Sequence, residues 1–414
     1  MHKLFEEVEN EVKPLFFELY KISSLNHEKV LNGFRELNIS ENCFYGSTGY
    51  GYGDLSREKL DSLYAKVFKG EEAIVRTQFV SGTHAIVKSI QGIVRPGDEI
   101  ISATGTPYDT LRNALGIFSS DSGLLKDWNV KYKEIPLTSD GQPDLENLKK
   151  AFSIKTKLIL IQRSRGYQNR PSLNIQKIES IIKTVKEFNP NIVCLVDNCY
   201  GEFVESKEPT EVGADLVVGS LIKNPGGSLA PAGGYVVGKK ELVEKAASAL
   251  TAPGLSSSIG ASLTDPRLLF QGFFMAPHVV TEALKGAVYT ACLYSKLGFE
   301  VSPRYDEYRT DIVQAIKFNN QNLLMNFCRY LQEFSPIDSI AVPEASWLPG
   351  YKDKIIMAGG TFIQGSSIEL SADAPVKPPY WVYLQGGISY EYTKIIINNT
   401  TKKLLNSELK GDMN

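Results

Sequence analysis

Ser220-Leu-Ile-Lys223-Asn-Pro-Gly226-Gly227 is the stretch from which the rest of this chain can be read. The lysine follows an apolar strand pattern, Asp215-Leu-Val-Val-Gly-Ser220, and precedes small residues whose glycines leave room for a ligand. An apolar wall desolvates such a lysine and lowers its pKa, and the neutral amine is the form that condenses with an aldehyde. Upstream, the apolar run Ile192-Val-Cys-Leu-Val196 passes into Asp197-Asn-Cys-Tyr200. A carboxylate thus ends one strand and a lysine follows the end of the next.

Outward from this pair, short apolar strands alternate with helical segments. The pattern predicts strands at 72–76, 99–102, 131–135, 158–162, 192–196, 216–219 and 234–237. Helices are expected at 82–93, 110–115, 144–151, 175–188 and 239–250. Such alternation predicts an α/β fold, a mostly parallel sheet covered on both faces. Ligands on these sheets gather at the carboxyl ends of the strands. Ser81, Asp197 and Ser220–Lys223 all fall there, with Tyr108 shortly after another such end.

Residues 1–38 read as helix, with Leu4, Val8, Val12, Leu15 and Phe16 about a turn apart. A tyrosine- and glycine-rich loop follows, Phe44 to Asp54, and then a helix over 57–68. Beyond Gly260 the pattern changes. A long helix from about Pro277 to Leu297 leads to expected strands at 353–358 and 366–370 and a helix at 317–334. The expected organisation is an N-terminal helical arm and inter-subunit loop (1–54), a large domain (55–290) and a smaller α+β domain (291–414).

Ser81-Gly82-Thr83-His84 opens a helix, and free N–H groups beside two hydroxyls make an anion site. A bare N-cap is the plainer reading, and His84 is more readily a packing residue than a catalyst. Ser220 can turn its hydroxyl to the same anion. Asp197 alone could be a turn residue, and Lys223 alone a surface lysine. Together, in the order anion loop, aspartate, lysine, they form what pyridoxal phosphate requires: a phosphate cradle, a carboxylate for the pyridine nitrogen and an amine for the aldehyde. Tyr108 can stack on a flat ring. Arg163 and Arg165, after strand 158–162, suggest a carboxylate clamp or, equally, salt bridges at a boundary. The glycines at 226–227 and 233–234 do not fit G-x-G-x-x-G, which argues against a dinucleotide.

Composition sets the frame. Of 414 residues, 43% are hydrophobic and 22% charged, with a net charge of −2, which fits an ordinary globular protein. Nothing in this balance suggests nucleic acid or a membrane surface as partner. The five cysteines (43, 194, 199, 292, 328) make no C-x-x-C pair, and with four histidines no zinc pattern emerges. An odd cysteine count and a charged, amphipathic amino terminus make the cytoplasm the default compartment.

Ser81-Gly-Thr-His-Ala85, Val196-Asp-Asn-Cys-Tyr200 and Ser220-Leu-Ile-Lys223 resemble S-G-x-x-A, V-D-N-[TS]-[YF] and S-x-x-K of the cystathionine and methionine gamma-lyase group. Those are fold type I pyridoxal phosphate enzymes. Thr48-Gly-Tyr-Gly-Tyr52, Gln162-Arg-Ser-Arg-Gly-Tyr167 and the stretch Gly360 to Leu370 further resemble the methionine gamma-lyase-like, aluminium-resistance subfamily. The resemblance covers nearly the whole chain.

The resemblance implies a carbon–sulfur lyase acting by β- or γ-elimination on a small cysteine-, cystathionine- or methionine-like amino acid. It implies that Lys223 joins the cofactor and moves the α proton, and that Asp197 pairs with the pyridine nitrogen. Ser81, Gly82, Thr83 and Ser220 would hold the phosphate. Tyr108 would stack and protonate the leaving sulfur, its pKa lowered by Arg163 and Arg165. Tyr50 and Tyr52 would reach a neighbouring subunit's phosphate in a homodimer or homotetramer, although the arginine of that family motif is absent. The family's late R-x-S-x-G arginine is also absent; the nearest stretch is Tyr383-Leu-Gln-Gly-Gly387, and Lys377, Arg163 or Arg165 would take its place for the substrate carboxylate. An aminotransferase and a non-catalytic cofactor- or metabolite-binding protein are the rival readings.

Overall fold

The computed structural model describes residues 1–117, 123–263, 265–348 and 350–411. The chain opens with helices α1 (His2–Val12), α2 (Phe16–Glu36) and α3 (Leu55–Val67). A 3-10 turn carrying Pro14 separates the first two, so the expected single helix is two. Strands β1 (Glu72–Arg76), β2 (Glu99–Ser102), β3 (Lys131–Glu134), β4 (Thr156–Gln162), β5 (Val193–Asp197), β6 (Leu216–Ser220) and β7 (Gly234–Gly238) form one sheet. Its order is β1-β7-β6-β5-β4-β2-β3, and β7 alone runs antiparallel to its neighbours. Between the strands lie α4 (Gly82–Ile93), α5 (Asp109–Leu115), α6 (Leu124–Asp127), α7 (Leu145–Ala151), α8 (Ile175–Phe188) and α9 (Lys240–Leu250).

Successive residues of a strand face opposite sides of the sheet. Ile159, Ile161, Cys194, Val196 and Val217 join one core with residues of α3 and α8. Leu158, Leu160, Leu195, Leu216 and Val218 join another with residues of α4 and α9. Both faces are therefore dry, which is why these strands read as unbroken apolar runs.

Helix α10 (Pro266–Lys296) follows. It begins eleven residues before the expected start at Pro277, because Asp265 caps it and Pro266 sits at its first position, where a proline costs nothing. Pro277 is tolerated inside. A second sheet of β8 (Glu300–Ser302), β9 (Val313–Lys317), β10 (Ile355–Ala358), β11 (Ser371–Pro375) and β12 (Trp381–Gln385) is antiparallel throughout, in the order β10-β11-β12-β9-β8. Helices α11 (Gln321–Glu333) and α12 (Tyr390–Gly411) complete the chain. The strand expected at 366–370 is a loop instead. There the Glu369 carboxylate accepts the N–H groups of Phe362 and Ile363 at 2.6 and 3.1 Å, and pairing begins only at Ser371.

The apolar stripe of the first helices is buried within the chain. Phe5, Val8, Val12 and Phe16 lie in one core with Tyr289 of α10 and Tyr390, Ile397 and Leu404 of α12. Among the described residues no helix is long and apolar enough to cross a membrane.

Candidate active site

A cavity of about 460 Å³ opens at the carboxyl ends of the parallel strands, facing the second sheet. Ser81, Gly82, Thr83, Tyr108, Arg165, Asp197, Ser220, Lys223 and Lys377 all line it. The structure thus brings together nine of the twelve residues singled out in the sequence.

At one end stands the N-terminus of α4. Ser81 caps it, its hydroxyl accepting the His84 N–H at 3.1 Å. The N–H groups of a helix's first turn have no acceptor within the helix, and its dipole favours an anion there. A Cβ on Gly82 would come to 3.2 Å of the Ser220 Cβ and 3.5 Å of the Cys199 sulfur, so glycine lets β6 and the helix start close on one another. His84 plays the plain role: its Nδ1 accepts the Val80 N–H at 3.1 Å.

Thr83 and Tyr108 are tied by a hydroxyl–hydroxyl bond of 2.9 Å, and the Tyr108 N–H donates to Gln162 at 3.0 Å. These two bonds hold the ring beside the helix start. Burial, with Asp197 and Cys199 nearby, pushes the phenol well up. The expected lowering by arginines does not occur, because neither guanidinium is directed at it.

Asp197 ends β5, buried, and accepts the Cys199 N–H at 3.2 Å. Burial raises its carboxyl, against the pull of Lys223. Lys223 lies one turn beyond β6 with its Nζ 4.0 Å from the Tyr200 ring centroid. Burial alone would lower this ammonium, but Cys199, Tyr200, Asp197 and Tyr108 together outweigh it and raise it well above its ordinary value. The direction is thus opposite to the sequence expectation, since an acidic ring of neighbours beats an apolar wall.

The glycines after Lys223 serve a helix rather than a ligand. Gly227 has φ of +52°, and a Cβ there would lie 2.2 Å from the Gly272 carbonyl of α10; a Cβ on Gly272 would lie 2.2 Å from the Gly226 carbonyl. The turn bearing the lysine is keyed into that notch.

Arg163 is not in the cavity. It is fully buried behind the strand ends, donating to Asn198 at 2.7 Å and Glu205 at 2.6 Å. The second of the two even readings holds for it: a structural ion pair, not a substrate clamp. Arg165 does line the cavity, with its guanidinium donating to the carbonyl and hydroxyl of Ser302 at 2.8 Å each. Lys377 lies at the mouth, paired with Asp353. Tyr50 and Tyr52 are exposed, at 72% and 68%, and line no part of their own chain's cavity. Their loop is pinned by Arg57, which donates to the carbonyls of Gly51 and Gly260 at 2.7 and 3.1 Å.

Sequence reasoning missed the far wall. Tyr167 and Tyr351 line it, with rings 5.9 Å apart. The Tyr167 hydroxyl donates to Asp373 of β11 at 2.9 Å, and the Gln385 amide of β12 donates to the same oxygen at 2.8 Å. Tyr200, the ring under Lys223, was also missed as a site residue. Its φ of +72° in the turn after Asp197 is the kind of strained backbone that accumulates at sites.

The site chemistry suits pyridoxal phosphate: an anion cradle at a helix start, a buried carboxylate, a buried amine and a flat ring around one cavity. The fold itself is of type I. At 14% identity and a TM-score of 0.61, the pyridoxal phosphate-dependent protein YhfS of Escherichia coli shares its fold, the fold type I architecture. The family model for methionine gamma-lyase matches residues 1–405, and the chain belongs to that family. The uncharacterized protein YnbB of Bacillus subtilis is 47% identical over 410 residues, 99% of this chain and 97% of that one. A crystal structure from Listeria monocytogenes, of a protein proposed to be a cystathionine beta-lyase involved in aluminum resistance, has a TM-score of 0.95 at 46% identity and covers 98% of this chain and 100% of its own. A carbon–sulfur lyase involved in aluminum resistance from Clostridium novyi gives 0.93 at 46%, covering 97% and 95%.

Proposed function

We propose that this protein is a pyridoxal phosphate-dependent carbon–sulfur lyase that eliminates a thiol from the β or γ carbon of a small sulfur-containing amino acid. The observation that carries the reading is the convergence of Lys223, Asp197 and the α4 N-terminus on one cavity. Bound there, the cofactor would supply an electron sink for the pair left when the α proton departs. The residues do the rest. Ser81, Gly82, Thr83 and Ser220 would hold the phosphate. Asp197 would pair with the ring nitrogen and keep it protonated. Tyr108, fixed by Thr83 and Gln162, would cover the ring and shield it from water. Lys223 would take the α proton. Arg165, buried on the cavity wall, and Lys377 at the mouth are the cations for the substrate carboxylate. Two or more copies assemble so that Tyr50 and Tyr52 of one reach the phosphate end of the other.

The test is a panel of cysteine, cystathionine, methionine and homocysteine, offered to the cofactor-loaded protein and assayed for 2-oxo acid, ammonia and thiol. At least one should release all three. If none does while an added 2-oxo acid is aminated, the protein is an aminotransferase and the lyase reading is wrong.

A further inference from the structure

Elimination of a thiol needs a proton for the departing sulfur. Tyr108 is poorly suited to give it. Its hydroxyl is bonded to Thr83 at 2.9 Å, at the phosphate end of the cavity. The opposite wall holds a better-built chain. Tyr351 and Tyr167 both line the cavity, with their ring centroids 5.9 Å apart. Tyr167 is bonded at 2.9 Å to Asp373, which Gln385 anchors from the next strand at 2.8 Å. The chain runs from the cavity into the second sheet, and its cavity end, Tyr351, lies within electrostatic reach of Lys223. Burial raises the Asp373 carboxyl to about 6, despite hydrogen bonds from Tyr167 and Gln385 and the charge of Lys223, so it can hold a proton near neutral pH. The groups facing it are Tyr167, Gln385, Tyr200, Tyr351, Cys328 and Lys223, of which only the last is cationic.

Resting on the lyase reading above, we propose that Asp373, Tyr167 and Tyr351 form a proton relay that protonates the leaving sulfur. The carbon–sulfur bond breaks with its electron pair on sulfur. Tyr351 gives its proton to that sulfur and Tyr167 gives its own to Tyr351; with the Asp373 carboxyl protonated, the 2.9 Å bond runs from Asp373 to the phenol, and the carboxyl reprotonates Tyr167. Asp373 is left ionised. The α proton collected by Lys223 restores it through solvent, so no proton is gained or lost over the turnover. Tyr351 is then a catalytic residue, while Tyr167 and Asp373 act through it.

Leaving-group chemistry tests the relay. Two substrates sharing one skeleton, cysteine or homocysteine, whichever the wild type cleaves, would carry an S-ethyl or an S-(2-nitrophenyl) group. The nitrophenyl thiolate leaves without a proton; the ethyl thiolate does not. Tyr351→Phe, Tyr167→Phe and Asp373→Asn should each slow release of ethanethiol by about 100-fold, the usual size of general acid catalysis, and leave release of the nitrothiophenol near the wild-type rate. Cofactor absorbance and thermal melting confirm that each variant is loaded and folded. Equal slowing of both substrates in these variants would show a structural role and overturn the relay. A wild type that frees thiol from neither substrate overturns the lyase reading itself, and the relay with it.

Discussion

The wall formed by the large sheet and the wall formed by the small sheet face the same cavity but are built on different plans. Ser81, Asp197, Ser220 and Lys223 sit at strand ends or helix starts, each within a few residues of an apolar run. Their positions follow from local pattern. Tyr167, Tyr351, Asp373 and Gln385 come from two loops and two strands and meet only through long-range pairing. The first wall has the chemistry of a cofactor seat. The second offers phenols and a carboxylate, the chemistry of proton handling. The lesson is that the first wall is written in strand-end motifs, whereas the second is assembled only by tertiary structure.

Four substitutions would break or sharpen this contrast. The largest effect belongs to Lys223→Ala, on the cofactor wall. Loss of the general base alone should lower turnover by roughly 10²–10⁴-fold. Borohydride should fix cofactor to the Lys223 peptide of the wild type and to no peptide of the variant. A label on another lysine would move the seat elsewhere.

Arg163→Leu comes next, and its effect should fall on folding rather than on turnover. The change leaves Glu205 and Glu208 buried without their cation, which costs about 3–5 kcal/mol. Urea unfolding should show that loss, while the KM of the folded fraction stays put. A raised KM with normal stability would return Arg163 to the substrate.

Asp197→Asn should retain the fold and lose about 3 kcal/mol of transition-state stabilisation, the size of one key electrostatic contact. Near-normal kcat in this variant would remove the carboxylate from its assigned place.

Asp54→Ala gives the smallest change. Burial would raise this carboxyl, but hydrogen bonds from Ser262, Ser47 and the Arg57 N–H outweigh it and hold it at about 2. Its contribution is therefore complete above about pH 4, the ordinary carboxylate range, and fades as pH falls through 2. Removal of this helix cap should cost about 1–2 kcal/mol at pH 7. Thermal melts of wild type and variant should converge as pH drops from 4 to 2; a gap constant with pH would mean that the charge contributes nothing.

The large sheet was legible because its strands are buried on both faces and end in turns. The runs at 72–76, 99–102, 82–93 and 175–188 coincide with β1, β2, α4 and α8 to the residue. The small sheet was not. Trp381–Gln385 pairs with β9 and β11, and Val313–Lys317 with β8 and β12, at distances no local pattern announces. The direction of the Lys223 shift was missed for the same reason. Desolvation can be guessed from apolar neighbours in sequence, but Tyr108 and Tyr200 approach the amine from separate loops. Arg163 and Arg165 are two residues apart and could not be told apart until the strand end showed one facing Glu205 and the other Ser302.

Glu9 of α1 bonds to Lys394 of α12 at 3.0 Å, a contact spanning 385 residues, beside the apolar stripe those helices share. The other wall of that stripe, α10, is complete by residue 296, so α1 gains its cover in two stages. At about 5–20 residues per second, α12 follows α10 by roughly 5–20 seconds, while the large sheet can already form. A chain stalled near residue 350 should keep its large sheet resistant to protease and lose α1 sooner than the finished chain does. If α1 resists equally, α10 alone is cover enough. Otherwise synthesis itself imposes a vigil on α1, and any nascent-chain binder that guards it sets the yield of folded protein.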